Sequence, residues 1–405
     1  MSTIDATGLR LALFSDTFLP QLNGVTRTLD RLVKAVRERG GDVLTWTTTD
    51  PDATADSHVR RLASVPFWAY PQLRLAAPRA SRVACELQTF APTLVHAATP
   101  FGIGLSARAA ARRLKIPFVS SYHTSFSAYA HFYKLGLLSG PGWRYLRWFH
   151  NAGHRTYCPT SAVQRELRSY GLKRTRLWAR GVDPKDFHPS HRSQELRRQR
   201  LGASDDAVVV AYVGRLAQEK GLDVALEAMA IAARQSPRRL VFAFAGEGPY
   251  AAACRAKAPP GSVFLGRIEG AALSAFYASG DLFVFPSTTD TFGNVLLEAM
   301  ASRLPIAAAD VPPTRELLGE GRFGMLVPPG DPLALAQGIL GLAADPAQRE
   351  QLAARGLEES ARYSWEMIFD ALVADYREAI TATPRTASLR RLKWQGRSEG
   401  VPAGR

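Results

Sequence analysis

A chain of 405 residues with 46 % apolar and 21 % charged residues has globular composition and enough length for two domains, which excludes an intrinsically disordered chain. No run of about 18 uncharged apolar residues occurs, so no membrane-spanning helix is expected, and Met1 to Arg10 lack the apolar stretch of a signal peptide, so export is not expected either. The net charge of +15 is uneven, with 26 Lys and Arg against 12 Asp and Glu in residues 1–190 and 25 against 24 in the remainder.

A first half carrying +14 beside a nearly neutral second half implies an anionic partner for the first half alone. A phosphate-rich membrane surface and a nucleic acid both fit, with a solvated basic surface as the alternative. Near an anionic bilayer each Lys or Arg contributes about 1 kcal/mol, so a handful gives reversible docking. Cys85, Cys158 and Cys254 stand far apart with no C-x-x-C. That argues against a disulfide framework or a zinc knuckle and fits a reducing cytoplasm.

In chain order, short apolar runs at 9–15, 42–48, 94–97, 116–122, 155–160 and 176–179 read as strands. After a Pro- and His-bearing stretch at 183–193, more follow at 208–214, 240–246, 263–266, 281–286, 305–310 and 324–327. Several are continuously apolar, as parallel strands covered on both faces are. Helical patterns lie between them at 25–39, 102–113, 221–236 and 333–344. This rhythm predicts an α/β protein of two doubly wound parallel sheets. Residues 384–405 are basic and Gly/Ser-bearing and read as a tail.

Ligands of open α/β sheets sit beyond the carboxyl ends of the strands, so the residues just after each strand carry the functional reading. The first strand leads through Asp16-Thr-Phe-Leu-Pro-Gln-Leu-Asn23-Gly24 into a helix. Gly24 there would let a phosphate approach backbone N–H groups at the positive end of the helix dipole, unless it is a plain turn glycine. His123 follows the 116–122 strand and could face the same cleft, where it would bond a hydroxyl or a developing charge, unless it is structural or merely exposed as a lone loop histidine more often is. His150 and His154 are four apart and could share a helix face, but no Glu lies between them and no third ligand is evident, so no metal site is read.

In the second half, Gly214-Arg215-Leu-Ala-Gln-Glu-Lys220-Gly221 sets two cations around a tight loop at a helix start, an arrangement suited to a diphosphate, with surface cations on a loop as the alternative. It is not a P-loop. Gly246-Glu247-Gly248-Pro249 is too short for a dinucleotide fingerprint and reads equally as a turn or as backbone that approaches a ligand. The most informative segment is Ser287-Thr-Thr-Asp290-Thr-Phe292-Gly293-Asn294-Val-Leu-Leu-Glu298-Ala-Met. Asn294 could cap a helix that carries Glu298 one turn in. Two carboxylates and an exposing glycine suit polyol recognition, with Asp290 on a hexose and Glu298 on a ribose; a helix cap with solvated acids is the alternative.

Together these segments resemble the retaining glycosyltransferases of the GT-B fold known as family 4, from Leu9 to about Tyr376. The most specific parts are Gly214-Arg215…Glu219-Lys220-Gly221 and Asp290-Thr-Phe-Gly-Asn…Glu298-Ala-Met-Ala, the family's E-x7-E signature with Asp in the first place. Gly181-Val182-Asp183 resembles the family's domain-crossing segment, and Tyr363-Ser-Trp365 the start of a helix that crosses back. The resemblance implies domains at 1–185 (acceptor side) and 186–365 (nucleotide sugar), a crossover helix at 366–384 and the tail at 385–405.

It further implies that Arg215 and Lys220 hold the donor diphosphate, with Gly24 approaching from the opposite domain and Gly214 and Glu247 lining the donor site. Glu298 would bind the ribose, Asp290 and the Phe292–Gly293–Asn294 backbone the transferred sugar, and His123 that sugar near the reacting carbon. Asp16 and Asn23 would stand on the acceptor side. Retention would come from front-face attack, with the departing diphosphate taking the acceptor's proton and with no metal or other cofactor. Two departures stand out: Asn23 precedes Gly24 where many relatives have Gly-Gly, and Asp290 is one methylene shorter than the usual Glu.

Asp290-Thr-Phe-Gly-Asn and Asp16-Thr-Phe-Leu-Pro-Gln look like the subset that glycosylates lipids, including mannosyl- and sulfoquinovosyl-type transferases. GDP-mannose is the leading donor and a UDP-sugar the second. The basic first domain then suggests peripheral docking on the inner face of the cell membrane to reach a lipid acceptor. The contact would be the aromatic and basic stretch from Phe126 through Tyr129, Phe132, Lys134 and Trp143 to Trp148, unless that stretch is a packed helix pair with a solvated face. A nicotinamide oxidoreductase would need a G-x-G-x-x-G that is missing, and a sugar-nucleotide epimerase would turn over donor without acceptor. A nucleic-acid-binding protein would show steeply salt-dependent duplex binding; no nucleic acid is expected as a partner.

Overall fold

The computed structural model describes residues 4–21, 23–67, 70–123 and 139–382. The part of the aromatic and basic stretch at 126–134 and the tail at 385–405 lie outside the described residues. The first sheet contains β1 (Arg10–Phe14), β2 (Asp42–Thr48), β3 (Val59–Leu62), β6 (Leu94–Ala97), β7 (Phe118–Ser121), β8 (Arg155–Cys158) and β9 (Thr175–Leu177), with a small hairpin of β4 (Val65–Phe67) and β5 (Tyr70–Leu75) beside it. The second contains β10 (Val208–Val213), β11 (Leu240–Ala245), β12 (Val263–Phe264), β13 (Leu282–Phe285), β14 (Ile306–Ala309) and β15 (Met325–Val327).

Strand order is β3-β2-β1-β6-β7-β8-β9 in the first sheet and β12-β11-β10-β13-β14-β15 in the second, and the pairings within both are parallel. The expected pair of parallel-sheet, Rossmann-like domains is what the chain forms. The continuous apolar runs have a direct cause. Val209 and Ala211 of β10 enter one core cluster while Val208, Val210 and Tyr212 enter another on the opposite face. Leu11 and Leu13 of β1 divide from Ala12 and Phe14 in the same way. Each buried aliphatic side chain contributes about 1.5–3 kcal/mol, so an alternating polar face would forfeit half the layer.

The chain crosses between the sheets twice, side by side. Val182 N donates to Tyr363 O at 2.8 Å, and a Cβ on Gly181 would lie 2.7 Å from Trp365 N, so only glycine allows this approach. Ser364 caps the helix Trp365–Thr381. That helix buries Phe369, Leu372, Val373 and Tyr376 in the core of the first sheet, with Tyr376 Oη 2.6 Å from His96 Nδ1. Tyr157 Oη donates to Asp375 at 2.6 Å. No helix among the described residues is long and apolar enough to cross a membrane.

β1 and β10 are the strands at which the order of each sheet reverses, and crevices open at such switch points. The loops after β1, β10 and β13 are therefore the ones placed at the cleft, and they are the loops that carry the motifs.

Candidate active site

On the first-domain side, the helix Gly24–Glu38 begins in a capping box. Asn23 Oδ1 accepts from Val25 N and Thr26 N, both at 2.9 Å, and Thr26 Oγ1 accepts from Asn23 N at 2.9 Å. Asn23 Nδ2 donates to Thr17 Oγ1 at 3.0 Å. The Asn23 side chain is thus engaged in ordering the loop that presents Gly24. Asp16, fully buried, accepts from Thr99 Oγ1 at 2.6 Å and Ile103 N at 3.3 Å. It ties the β1 loop to the start of helix Gly102–Leu114, and burial pushes its carboxyl up to about 6 against the pull of those hydrogen bonds.

On the second-domain side, Gln218–Lys220 makes a single 3-10 turn and Gly221, at φ 71°, starts the helix Leu222–Gln235. A Cβ at Gly221 would stand 2.5 Å from Pro286 O, so the loop after β10 lies directly on the loop after β13. Thr289 Oγ1 adds a bond to Glu219 O at 3.1 Å. Lys220 Nζ donates to Asp290 Oδ1 at 2.7 Å, and Arg215 pairs with Glu219. Burial raises the Asp290 carboxyl, but the Lys220 charge and hydrogen bond outweigh it and hold the group below its ordinary range. Both cations therefore sit against carboxylates of their own domain. A bound diphosphate would compete with these pairs.

Gly293, at φ 85°, is the residue that caps helix Asn294–Ala301, and Asn294 is the first helical residue with no side-chain capping bond. This corrects the expectation that Asn294 caps. The left-handed turn is one that glycine adopts at least cost, and it frees Asn294 to reach the other domain, where a Cβ on Gly24 would be 3.9 Å from its Nδ2. Glu298, one turn on and half-buried, accepts from Tyr277 Oη at 2.7 Å. Burial pushes the Glu298 carboxyl above its ordinary range despite that bond. Phe292 is buried in the core of the second sheet, so only its backbone can serve a ligand.

Gly246 and Gly248 have a structural reason. Cβ atoms there would fall 1.9 Å from Gly214 O and 2.3 Å from Leu216 O, so the glycines let this loop pack on the Gly214–Leu216 loop. Glu247 between them is exposed, its Oε1 3.4 Å from Arg267 N.

His123 meets the second domain directly, its carbonyl accepting from Thr291 Oγ1 at 2.9 Å. Its Nδ1 lies 2.9 Å from Arg180 Nη2, and its buried Nε2 has no hydrogen-bond partner among the described residues. Burial first, then the charge of Arg180, holds the ring well below its ordinary pKa. Two further links span the domains: Glu316 accepts from Ser161 N and Ala162 N at 2.7 and 2.6 Å, and Arg27 pairs with Glu269 at 3.0 Å. His150 and His154 do not share a helix face, because the helix Ser139–His150 ends at His150, which bonds Ser120 Oγ at 2.8 Å. Arg180, Tyr277 and Thr291 are cleft-supporting residues that sequence reading missed. Arg180 and Tyr277 are lone polar residues without a local pattern, and Thr291, although inside the Asp290–Asn294 motif, gives no sequence sign of its partner across the cleft.

Two parallel sheets closing on a cleft furnished with loop cations, a carboxylate-bearing helix and a facing histidine define a glycosyltransferase of the GT-B type. The fold matches that of Anabaena HepE, solved in complex with UDP and glucose, with a TM-score of 0.72 at 20 % identity over 91 % of this chain and 99 % of that one. Residues 22–186 match Glycosyltransferase Family 4 and residues 207–345 match Glycosyl transferases group 1. The chain is 33 % identical to the GDP-mannose-dependent alpha-mannosyltransferase of Mycolicibacterium smegmatis, over 92 % of this chain and 98 % of that protein. It is 32 % identical to the sulfoquinovosyl transferase SQD2 of Arabidopsis thaliana, over 88 % and 71 %. It is 28 % identical to the alpha-monoglucosyldiacylglycerol synthase of Streptococcus pneumoniae, over 95 % and 91 %. The chain belongs to glycosyltransferase family 4.

Proposed function

We propose that this glycosyltransferase transfers a hexose, mannose from GDP-mannose in the leading reading, to a lipid or lipid-linked acceptor with retention of configuration and without a metal. The observation that carries the reading is the Lys220–Asp290 pair standing at the β10–β13 switch point, on the loop that also bonds His123 of the first domain. Lys220 and Arg215 would exchange their carboxylates for the diphosphate, and Asp290, so released, would accept from sugar hydroxyls. Glu298, held by Tyr277 at one oxygen, keeps the other for the ribose. The bond from the anomeric carbon to the β-phosphate oxygen breaks while the acceptor oxygen bonds the same carbon on the same face. The acceptor's proton passes to the departing diphosphate. Catalysis is then orientation and charge stabilisation.

The donor reading is supported by the mannosyltransferase relative, and a UDP-sugar remains the second reading because Anabaena HepE binds UDP. The lipid acceptor is supported by the monoglucosyldiacylglycerol synthase relative and by the exposed face of helix Ser139–His150. Trp143, Leu146 and Phe149 point into the core, while Arg144, Arg147 and Trp148 point out, with the Arg108 guanidinium 3.7 Å above the Trp148 ring. Such a face would dock peripherally on an anionic bilayer at the cytoplasmic side of the membrane.

Calorimetric titration without metal, using GDP, UDP, GDP-mannose and UDP-glucose, tests the reading. Selective binding of the guanine ligands is expected. Selective binding of the uracil ligands would move the donor to a UDP-sugar, and no binding by any of the four would overturn the site.

A further inference from the structure

Arg180 is 5 % exposed, yet no carboxylate among the described residues pairs with it. Its Nη1 donates to Trp178 O at 2.6 Å and Ala179 O at 3.1 Å, and its guanidinium carbon lies 4.9 Å from the centre of the Trp178 ring. Its Nη2 donates to His123 Nδ1 at 2.9 Å. Among the described residues this buried cation is held by carbonyls, a ring and an imidazole, a costly arrangement, and burial lowers its own pKa to about 10. Its position is fixed by the fold. It stands just after β9, beside Gly181, where the chain crosses between domains and packs against Trp365.

The chemistry of the pair has one consistent assignment. A guanidinium only donates, so Nδ1 of His123 must accept and carry no proton. The ring proton then resides on Nε2, the buried nitrogen that lacks a partner among the described residues. We propose that Arg180 is a positioning residue that locks His123 as a neutral, Nε2-protonated donor of a hydrogen bond to an oxygen of the transferred sugar. This rests on the proposed function, in which His123 faces that sugar. It specifies that the contacted atom must be an acceptor, a hydroxyl or ring oxygen, and that His123 is not a base in the reaction. The charged and titratable groups around the ring agree: Arg180 from the crossing segment, His96 from β6 and His150 from the end of helix Ser139–His150 all disfavour a second proton there, on top of burial.

Two-bond proton–nitrogen NMR of the full chain labelled at its 8 histidines reads the tautomer directly, with His123→Gln to assign the signals. The expected spectrum has an unprotonated Nδ1 and a protonated Nε2, constant from about pH 5.5 to 8. A protonated Nδ1, or a ring titrating near its ordinary value, overturns the proposal. Addition of the nucleotide sugar that calorimetry identifies should shift the His123 Nε2 signal, and binding that leaves it unmoved also overturns the sugar contact.

Arg180→Met should lower kcat roughly tenfold to a hundredfold with little change in donor KM, and let the His123 tautomers mix. Arg180→Lys, which retains a donor and the charge, should restore most of the rate. A purely structural Arg180 would instead lower thermal stability and leave the tautomer as it was. Failure of every nucleotide to bind would overturn the proposed function, while the free-protein spectrum would still decide the role of Arg180.

Discussion

Replacing Lys220 by alanine separates two effects that the Lys220–Asp290 pair combines. The pair is 2.7 Å long and its side chains are 19 % and 26 % exposed. An exposed pair contributes about 0–1 kcal/mol, while breaking a fully buried one costs about 3–5 kcal/mol. At this intermediate depth the expected loss of stability is about 1–2 kcal/mol, most of it the cost of an uncompensated Asp290. Donor binding should suffer separately, because a charge-assisted hydrogen bond to the diphosphate is lost. At about 1.5–3 kcal/mol, GDP should bind roughly tenfold to 150-fold more weakly.

Calorimetry with GDP, beside thermal melts, would be run on the parent, Lys220→Ala and the double variant Lys220→Ala/Asp290→Ala. The double variant should regain much of the stability and none of the affinity, since removing Asp290 relieves the unpaired charge without restoring a cation. A folded Lys220→Ala protein whose GDP affinity lies within a factor of about two of the parent would refute the assignment of this lysine to the diphosphate.

Two further outcomes follow from other residues. Asp16 has a folded-state pKa raised to about 6 from 3.8. Between these values the folded protein binds more protons than the unfolded one, so stability falls as pH rises through the window, by about 3 kcal/mol in all. Asp16→Asn, whose Oδ1 still accepts from Ile103 N while its Nδ2 donates to Thr99 Oγ1 in place of accepting from it, should therefore be more stable than the parent in urea denaturation at about pH 7.5 and equal to it near pH 4. A gain of the same size at both would reject burial as the cause. Tyr277→Phe removes the hydroxyl that fixes Glu298. It should weaken nucleotide binding several-fold, at about 1 kcal/mol, with a similar effect on GDP and GDP-mannose, and an effect on the sugar nucleotide alone would place Glu298 at the sugar instead.

Where strands are largely buried within the sheet, the chain marks them, and β2 and β6 occupy the expected residues. β3, with Val59-Arg-Arg-Leu62, did not, because it pairs with β2 alone at the end of the sheet and needs no continuous apolar run. The hairpin β4–β5 lies outside both main sheets and escaped for the same reason. Lys220, Asp290 and Glu298 were legible as site candidates because loop glycines and neighbouring cations or carboxylates give them a local context. Asn294 starts the helix but does not cap it, since the cap depends on the φ of Gly293, which composition does not display.

The sequence by itself determined the two parallel sheets, the loops that end at the cleft and the residue types that stand there. Those are consequences of hydrophobic periodicity and of glycine and charge placement within a few residues of one another. Only the tertiary structure decided which groups meet: Lys220 with Asp290 across 70 residues, Tyr277 with Glu298 across 21, and Arg180 with His123 across 57. A hydrogen bond depends on the placement of two side chains that the fold brings together. Neither residue of such a pair carries in its own neighbours a sign of the other.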